Sequence, residues 1–153
     1  MPKVELDVET TASPETVRAA LLDFSDRRPE IWPGIDPGLY KVYAIGDNFA
    51  DVQEGTKMPG TSIWARERYD WSADELVTWT VQESNFCAPG GYVSALIAPR
   101  GDGGSRIHVT WERTPTSMVG RLATILIRLT GGKPVAASMR KALARLERPP
   151  SPE

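Results

Sequence analysis

The sequence predicts an α+β fold: a strand, two short helices, a six-strand antiparallel meander and a long C-terminal helix. Three observations carry this. Apolar and polar residues alternate from Val4 to Thr10 and run straight into a helix-start signal at Ser13-Pro14; period two then governs the stretch from Gly38 to Arg113; the helical period of 3.6 returns after Pro115. At 153 residues the chain suits one domain, expected over residues 1–148, with the proline-rich stretch 149–153 as a disordered tail.

The first strand, Val4 to Thr10, sets Val4, Leu6 and Val8 against Glu5, Asp7 and Glu9. Ser13 is the N-cap of the first helix and Pro14 its first residue, with Glu15 in the first turn, where an acid suits the helix dipole. Val17, Ala20, Leu21 and Phe24 then recur at helical spacing, so this helix is expected from Pro14 to about Phe24. A second short helix is expected within Ser25 to Ile31, ended by Pro33-Gly34.

The meander is expected as strands Tyr40–Ile45, Phe49–Glu54, Ile63–Trp71, Leu76–Ser84, Tyr92–Ala98 and Arg106–Arg113. Gly46-Asp47-Asn48, Ser72-Ala73-Asp74 and Gly101-Asp102-Gly103-Gly104 supply tight turns between them, because Gly, Asn and Asp tolerate the backbone conformations such turns need. In the final segment, Val119, Leu122, Ile125, Leu126, Leu129, Val135, Met139, Leu143 and Leu146 outline one apolar stripe. Gly131-Gly132 and Pro134 within it predict a kink or short break.

Composition narrows the function classes. The N-terminus lacks the basic start and apolar run of a secretory signal, which points to the cytoplasm, and no stretch approaches the roughly 20 apolar residues of a membrane span. One cysteine, Cys87, and one histidine, His108, exclude an intrachain disulfide, a cysteine metal cluster and a multi-histidine site; no metal or cofactor is expected. Residues 1–114 hold 11 Lys/Arg against 18 Asp/Glu, whereas residues 115–148 hold 7 against 1. A basic end on an acidic body argues against nucleic-acid binding, which usually shows a basic domain as well as a basic patch.

Several residues in order carry a family resemblance: Ala12-Ser13-Pro14-Glu15-Thr16-Val17, Asp23-Phe24, Trp32-Pro33, Gly103-Gly104-Ser105-Arg106, and the closing amphipathic segment. Taken with the element order, the chain resembles the START/Bet v 1-like (SRPBCC) superfamily, in particular its bacterial polyketide cyclase/dehydrase and lipid-transport branch. The resemblance covers nearly the whole chain. It implies a helix-grip fold, with a curved seven-strand sheet wrapped around the terminal helix and an apolar cavity between them for a lipid, polyketide or similar molecule. Fold alone does not choose between carrier and enzyme.

Alternation nominates the cavity lining. Ile107, Val109 and Trp111 share one face of the last strand, and Val77, Trp79 and Val81 share one face of the fourth meander strand. On the strand before it, Trp64, Arg66, Arg68 and Asp70 suit solvent, which turns Glu67 and Tyr69 inward. A three-residue turn at Ser72 to Asp74 would set Tyr69 across from Val77 and Glu67 across from Trp79. A carboxylate on an apolar face must be hydrogen-bonded, paired or protonated. Glu67 is therefore either a working acid/base with Tyr69, the two candidate catalytic residues, or a carboxylate that lies near the cavity mouth or pairs with an arginine.

The candidate ligand-binding residues are Trp32, Trp79, Val81, Phe86, Val109, Trp111, Leu122, Leu126 and Met139, with Trp32 shaping an entrance and Phe86 a gate in the turn-rich stretch Asn85 to Gly91. For the aromatics the alternative is plain core packing, and for Phe86 an ordinary loop. The basic terminal helix offers a surface for anionic membrane, but its apolar stripe is needed to close the fold and is not free to enter a bilayer, so no stable insertion is expected. The leading expectation is binding or transport of a hydrophobic small molecule. The alternatives are an aromatase/cyclase-like enzyme using Glu67 and Tyr69, and a regulatory module that binds proteins.

Overall fold

A computed structural model of the chain describes residues 3–130 and 133–147. Strand β1 spans Lys3–Thr10, helices α1 and α2 span Pro14–Leu21 and Arg28–Ile31, and a single 3-10 turn follows at Pro37–Leu39. The meander comprises β2 Lys41–Ile45, β3 Phe49–Met58, β4 Thr61–Asp70, β5 Leu76–Ser84, β6 Tyr92–Pro99 and β7 Ser105–Glu112. Helices α3, Met118–Leu129, and α4, Lys133–Glu147, follow. The seven strands form one antiparallel sheet in the order β1-β7-β6-β5-β4-β3-β2, so the first strand closes against the last.

Local chemistry sets the element ends. The Ser13 side chain accepts from the Thr16 backbone N–H at 3.2 Å, which caps α1 as the sequence predicts. The helix stops at Leu21 rather than Phe24 because Asp23 Oδ1 accepts from the Ser25 N–H at 3.0 Å and the Arg28 guanidinium takes the carbonyls of Leu21 and Asp23. These bonds hold the chain in a turn that competes with another helical residue. Strand β3 runs on to Met58, past the expected end at Glu54. Gly55 lies inside it, where an added Cβ would stand 2.7 Å from the Ile63 carbonyl oxygen and 3.0 Å from Leu39 Cβ. Gly55 therefore marks close backbone approach and not a strand end.

The β4–β5 register also departs from expectation. Tyr69 faces Trp79 and Glu67 faces Val81, with a bulge between Arg66 and Glu67. The connection is longer than three residues, since β4 ends at Asp70 and β5 begins at Leu76. From Glu67 to Asp70 the offset is two residues, so Glu67, Tyr69 and Trp79 keep their predicted face, whereas the bulge adds a third and sets Glu83 opposite the outward Arg66.

The concave face carries the core: Val4 and Val8 of β1, Ile107, Val109 and Trp111 of β7, Val93, Ala95 and Ile97 of β6, Val77 of β5, and Ala50 and Val52 of β3. Helix α4 packs Ala136, Ala142 and Leu143 against it and lies on β1 and α1. The expected single long helix is thus two, and the grip is made by α4. The predicted kink at Gly131-Gly132 and the tail 149–153 lie outside the described residues. No described helix is long and apolar enough to cross a membrane.

Candidate functional site

The inward faces of β3, β4 and β7 each carry a charged residue into the interior. On β3 the set Ala50, Val52 continues to Glu54; on β4 Ala65 continues to Glu67 and Tyr69; past the end of β7 the set Ile107, Val109, Trp111 continues to Arg113. Register brings Val52 opposite Glu67 and Ala50 opposite Tyr69, so these groups converge on one part of the concave face. Arg28, at the start of α2, enters the same region and is 2% exposed.

Two polar clusters result. In the first, the Tyr69 hydroxyl donates to Glu54 Oε1 and accepts from Arg28 Nη2 at 3.1 Å, while Arg28 Nη1 donates to the carbonyls of Leu21 at 2.9 Å and Asp23 at 3.0 Å. Arg28 Nε stands 3.4 Å from Glu54 Oε1, an ion pair without hydrogen-bond geometry. The guanidinium also lies 4.5 Å from the centroid of Phe24, whose ring meets Tyr69 edge-on at 4.9 Å. Tyr69 in turn stacks on its cross-strand partner Trp79 at 5.2 Å. In the second cluster Arg113 Nη2 donates to Glu67 Oε2 at 2.8 Å, and Arg113 Nε is buried without a partner.

Burial and neighbouring charges shift these groups. Desolvation, reinforced by Glu54 and opposed by Arg113 and Arg28, pushes the Glu67 carboxyl up to about 7. Burial followed by the charge of Glu54 raises Tyr69 well above an ordinary phenol. Arg28 is held more firmly protonated than a free arginine because Glu54 and Tyr69 outweigh the opposing effect of burial.

Two adjoining cavities open on these clusters. The first, about 180 Å³, is bounded by Leu21, Trp32, Ile35, Trp79, Met139 and Ala142, with Arg28, Glu54 and Tyr69 at one side. The second, about 260 Å³, has Glu54, Thr56, Glu67 and Arg113 among its walls together with Ile63 and Phe86. They share Gly34, Ile35, Glu54 and Trp79. Taken together they reach the ~300–1,000 Å³ of ordinary small-molecule sites.

Of the nominated residues, Trp32, Tyr69, Trp79 and Met139 line the first cavity, and Glu67, Trp79 and Phe86 the second. Trp32 also donates its indole N–H to the Ala20 carbonyl at 3.1 Å, which fixes the turn after α2. Val81, Val109 and Trp111 are buried in the sheet and border neither cavity. Leu122 and Leu126 lie on α3, 65% and 55% exposed, away from both. They share the stripe of Met139 in sequence, but they lie exposed on α3 whereas Met139 lies on α4 and lines the first cavity.

Arg28, Glu54 and Arg113 fall outside the nominated set. For Glu54 and Arg113 a signal exists, since each extends an inward alternate set by one step; Arg28 sits in a four-residue helix with no period to read. Away from the site, His108 contacts Asp7 at 3.0 Å on the convex side, which raises its pKa, and Cys87 is buried against Ser84. Among the described residues, no group of three or more His, Cys, Asp or Glu is placed to hold a metal ion.

The chain matches, over residues 1–149, the family described as polyketide cyclase / dehydrase and lipid transport. It belongs to that family. The family's fold recurs in solved structures. An aromatase/cyclase from Streptomyces sp. R1128 superposes with a TM-score of 0.77 at 13% identity, over 95% of this chain and 93% of that one. A START superfamily protein from Mycobacterium smegmatis gives 0.72 at 18% identity, over 94% of this chain and 98% of that one. A Thermus thermophilus protein gives 0.74 at 18% identity, over 94% and 96%. At these identities the likeness establishes the START/Bet v 1-like fold. No curated protein matches this family member in sequence.

Proposed function

We propose that this family member binds a hydrophobic small molecule bearing one polar group. The observation that carries the reading is the meeting of the two cavities at Glu54 and Trp79, one walled mainly by apolar side chains and the other bearing Glu67 and Arg113. The apolar body of the ligand lies against Trp32, Trp79 and Met139, and burial of that surface supplies most of the affinity. Its polar group reaches Glu54 or the Glu67–Arg113 pair on the cavity wall. Lipids and polyketides both fit this description, and the family's description supports either.

A second reading rests on Glu67. A carboxyl pushed up to about 7 on a cavity wall is suited to exchange a proton with a bound carbonyl compound near neutral pH, as an aromatase/cyclase-like reaction requires. Tyr69 contributes less to such chemistry, because Arg28 and Glu54 already occupy its hydroxyl.

Native mass spectrometry and thermal shift against a panel of fatty acids, phospholipids and aromatic polyketides test the first reading. A retained ligand should raise the melting temperature, and Trp79→Ala should abolish retention. A panel with no retained compound would refute it. For the second reading, Glu67→Gln should stop turnover of a converted polyketide while leaving its binding intact; unchanged turnover would exclude the role.

A further inference from the structure

Helix α3 turns its apolar stripe outward. Met118, Leu122, Ile125, Leu126 and Leu129 follow the i, i+4, i+7, i+8, i+11 spacing of one helical face, and all five are exposed, from 53% at Ile125 to 80% at Leu129. The opposite side is the seated one: Gly120 is buried, with room for no side chain, since a Cβ there would collide with the Phe86 carbonyl oxygen. The Thr116 N–H donates to that same carbonyl at 2.9 Å. The helix is thus fixed to the Phe86 loop, beside the second cavity, in an orientation that presents the stripe to the surroundings.

Charge identifies what covers it. From residue 113 to 146 the sequence contains seven Lys/Arg and no Asp/Glu, and Arg121, Lys133, Arg140 and Lys141 are exposed. An exposed apolar helical face in a basic segment, with Arg121 exposed on the same helix, suits a helix that lies in the plane of a membrane interface, its apolar side chains among acyl chains and its cations among anionic headgroups. A second copy of this chain meets the stripe less well, since a two-fold contact through α3 brings two basic segments together.

We propose that α3 is a docking surface for an anionic lipid bilayer. The helix lies on the membrane rather than crossing it, in keeping with its 12 residues. Docking there sets the Phe86 end of the cavity at the lipid surface. The proposal stands on α3 and the basic segment that contains it and does not depend on what the cavity holds.

Cosedimentation of the full chain with phosphatidylcholine vesicles, with and without phosphatidylglycerol, is the test. Binding should require phosphatidylglycerol, weaken as salt rises, and fall by about tenfold or more in the double variant Leu122→Asp/Leu126→Asp. Because both leucines are exposed, the variant should retain its melting temperature and circular dichroism spectrum. Arg121→Glu should weaken binding to the anionic vesicles in the same direction. Absence of binding to phosphatidylglycerol vesicles at low salt overturns the proposal, as does equal binding by the double variant. A concentration-dependent dimer that the double variant abolishes, with no vesicle binding, assigns the face to a second copy and also overturns it. Vesicle binding without any retained small molecule would keep this inference and remove the ligand-binding reading; the reverse result would do the opposite.

Discussion

Arg28 and Arg113 each carry a guanidinium into the interior beside a glutamate, but their surroundings differ. Arg28 bonds to two main-chain carbonyls and a phenol, lies against an aromatic ring, and ties the end of α1 and the start of α2 to β3 and β4. Arg113 has Glu67 as its hydrogen-bonded partner at 2.8 Å; both arginines bury an Nε without a hydrogen bond and both line a cavity, so what separates them is the main-chain carbonyls and the phenol that Arg28 takes. A guanidinium whose donors are taken up by fixed carbonyls holds the scaffold in shape. One held by a carboxylate on a cavity wall, as Arg113 is by Glu67, is available to a ligand. The same pair of residue types thus serves structure in one place and recognition in the other.

If that distinction is right, Arg28→Met has the largest effect on stability. It removes the donors to Leu21, Asp23 and Tyr69 together and leaves Glu54 without its cation, which should cost about 3–5 kcal/mol in chemical denaturation. Arg28→Lys should recover little, because a point charge cannot reproduce the planar fork that spans both carbonyls and the phenol. An Arg28→Met protein as stable as wild type would show that the arginine is not the scaffold's tie.

The second pair should reveal itself through pH. Between 4.5 and about 7 the folded chain holds a proton on Glu67 that the unfolded chain has released, so this group makes the fold less stable as pH rises. The cost is absent below 4.5, complete above about 7, and at most roughly 3 kcal/mol. His108, raised by Asp7, contributes in the same direction, its stabilisation being lost as pH climbs through its folded pKa. Subtracting the Glu67→Gln curve isolates the carboxyl: the variant should flatten the decline across this window. An identical slope in both proteins would mean that Arg113 keeps Glu67 ionised throughout, and the two pairs would then be alike.

The extent to which this interior is legible in the sequence follows from periodicity. Alternation places Glu67, Tyr69, Trp79 and Trp111 on the concave face, and a register error of two residues leaves them there because strand parity survives an even shift. It also contains Glu54 and Arg113, each one step beyond an apolar set, but a charged residue at a strand end reads in sequence as an exit toward solvent. Arg28 is beyond reach, since its partners are main-chain carbonyls that only the turn after α1 brings together. Amphipathicity likewise draws one stripe through residues 119–146; it fixes which side of a helix is apolar but not what meets that side. Leu143, 1% exposed, and Leu129, 80% exposed, carry the same signal.

Tyr69→Phe is the smallest change and the finest probe of the comparison. The phenylalanine ring keeps the stack on Trp79 and the edge contact with Phe24, so the apolar part of the site is preserved. What goes is a hydroxyl that donates to Glu54 and accepts from Arg28. Arg28 retains both carbonyl acceptors, and Glu54 lines both cavities, where water can replace the lost donor. The loss should therefore be about 1–2 kcal/mol, well short of that for Arg28→Met, with ligand retention unchanged. A loss equal to that of Arg28→Met would place the structural tie in the Tyr69–Glu54 bond and make the carbonyl contacts secondary. Comparing the two variants under one denaturant series decides which bond holds α2 to the sheet.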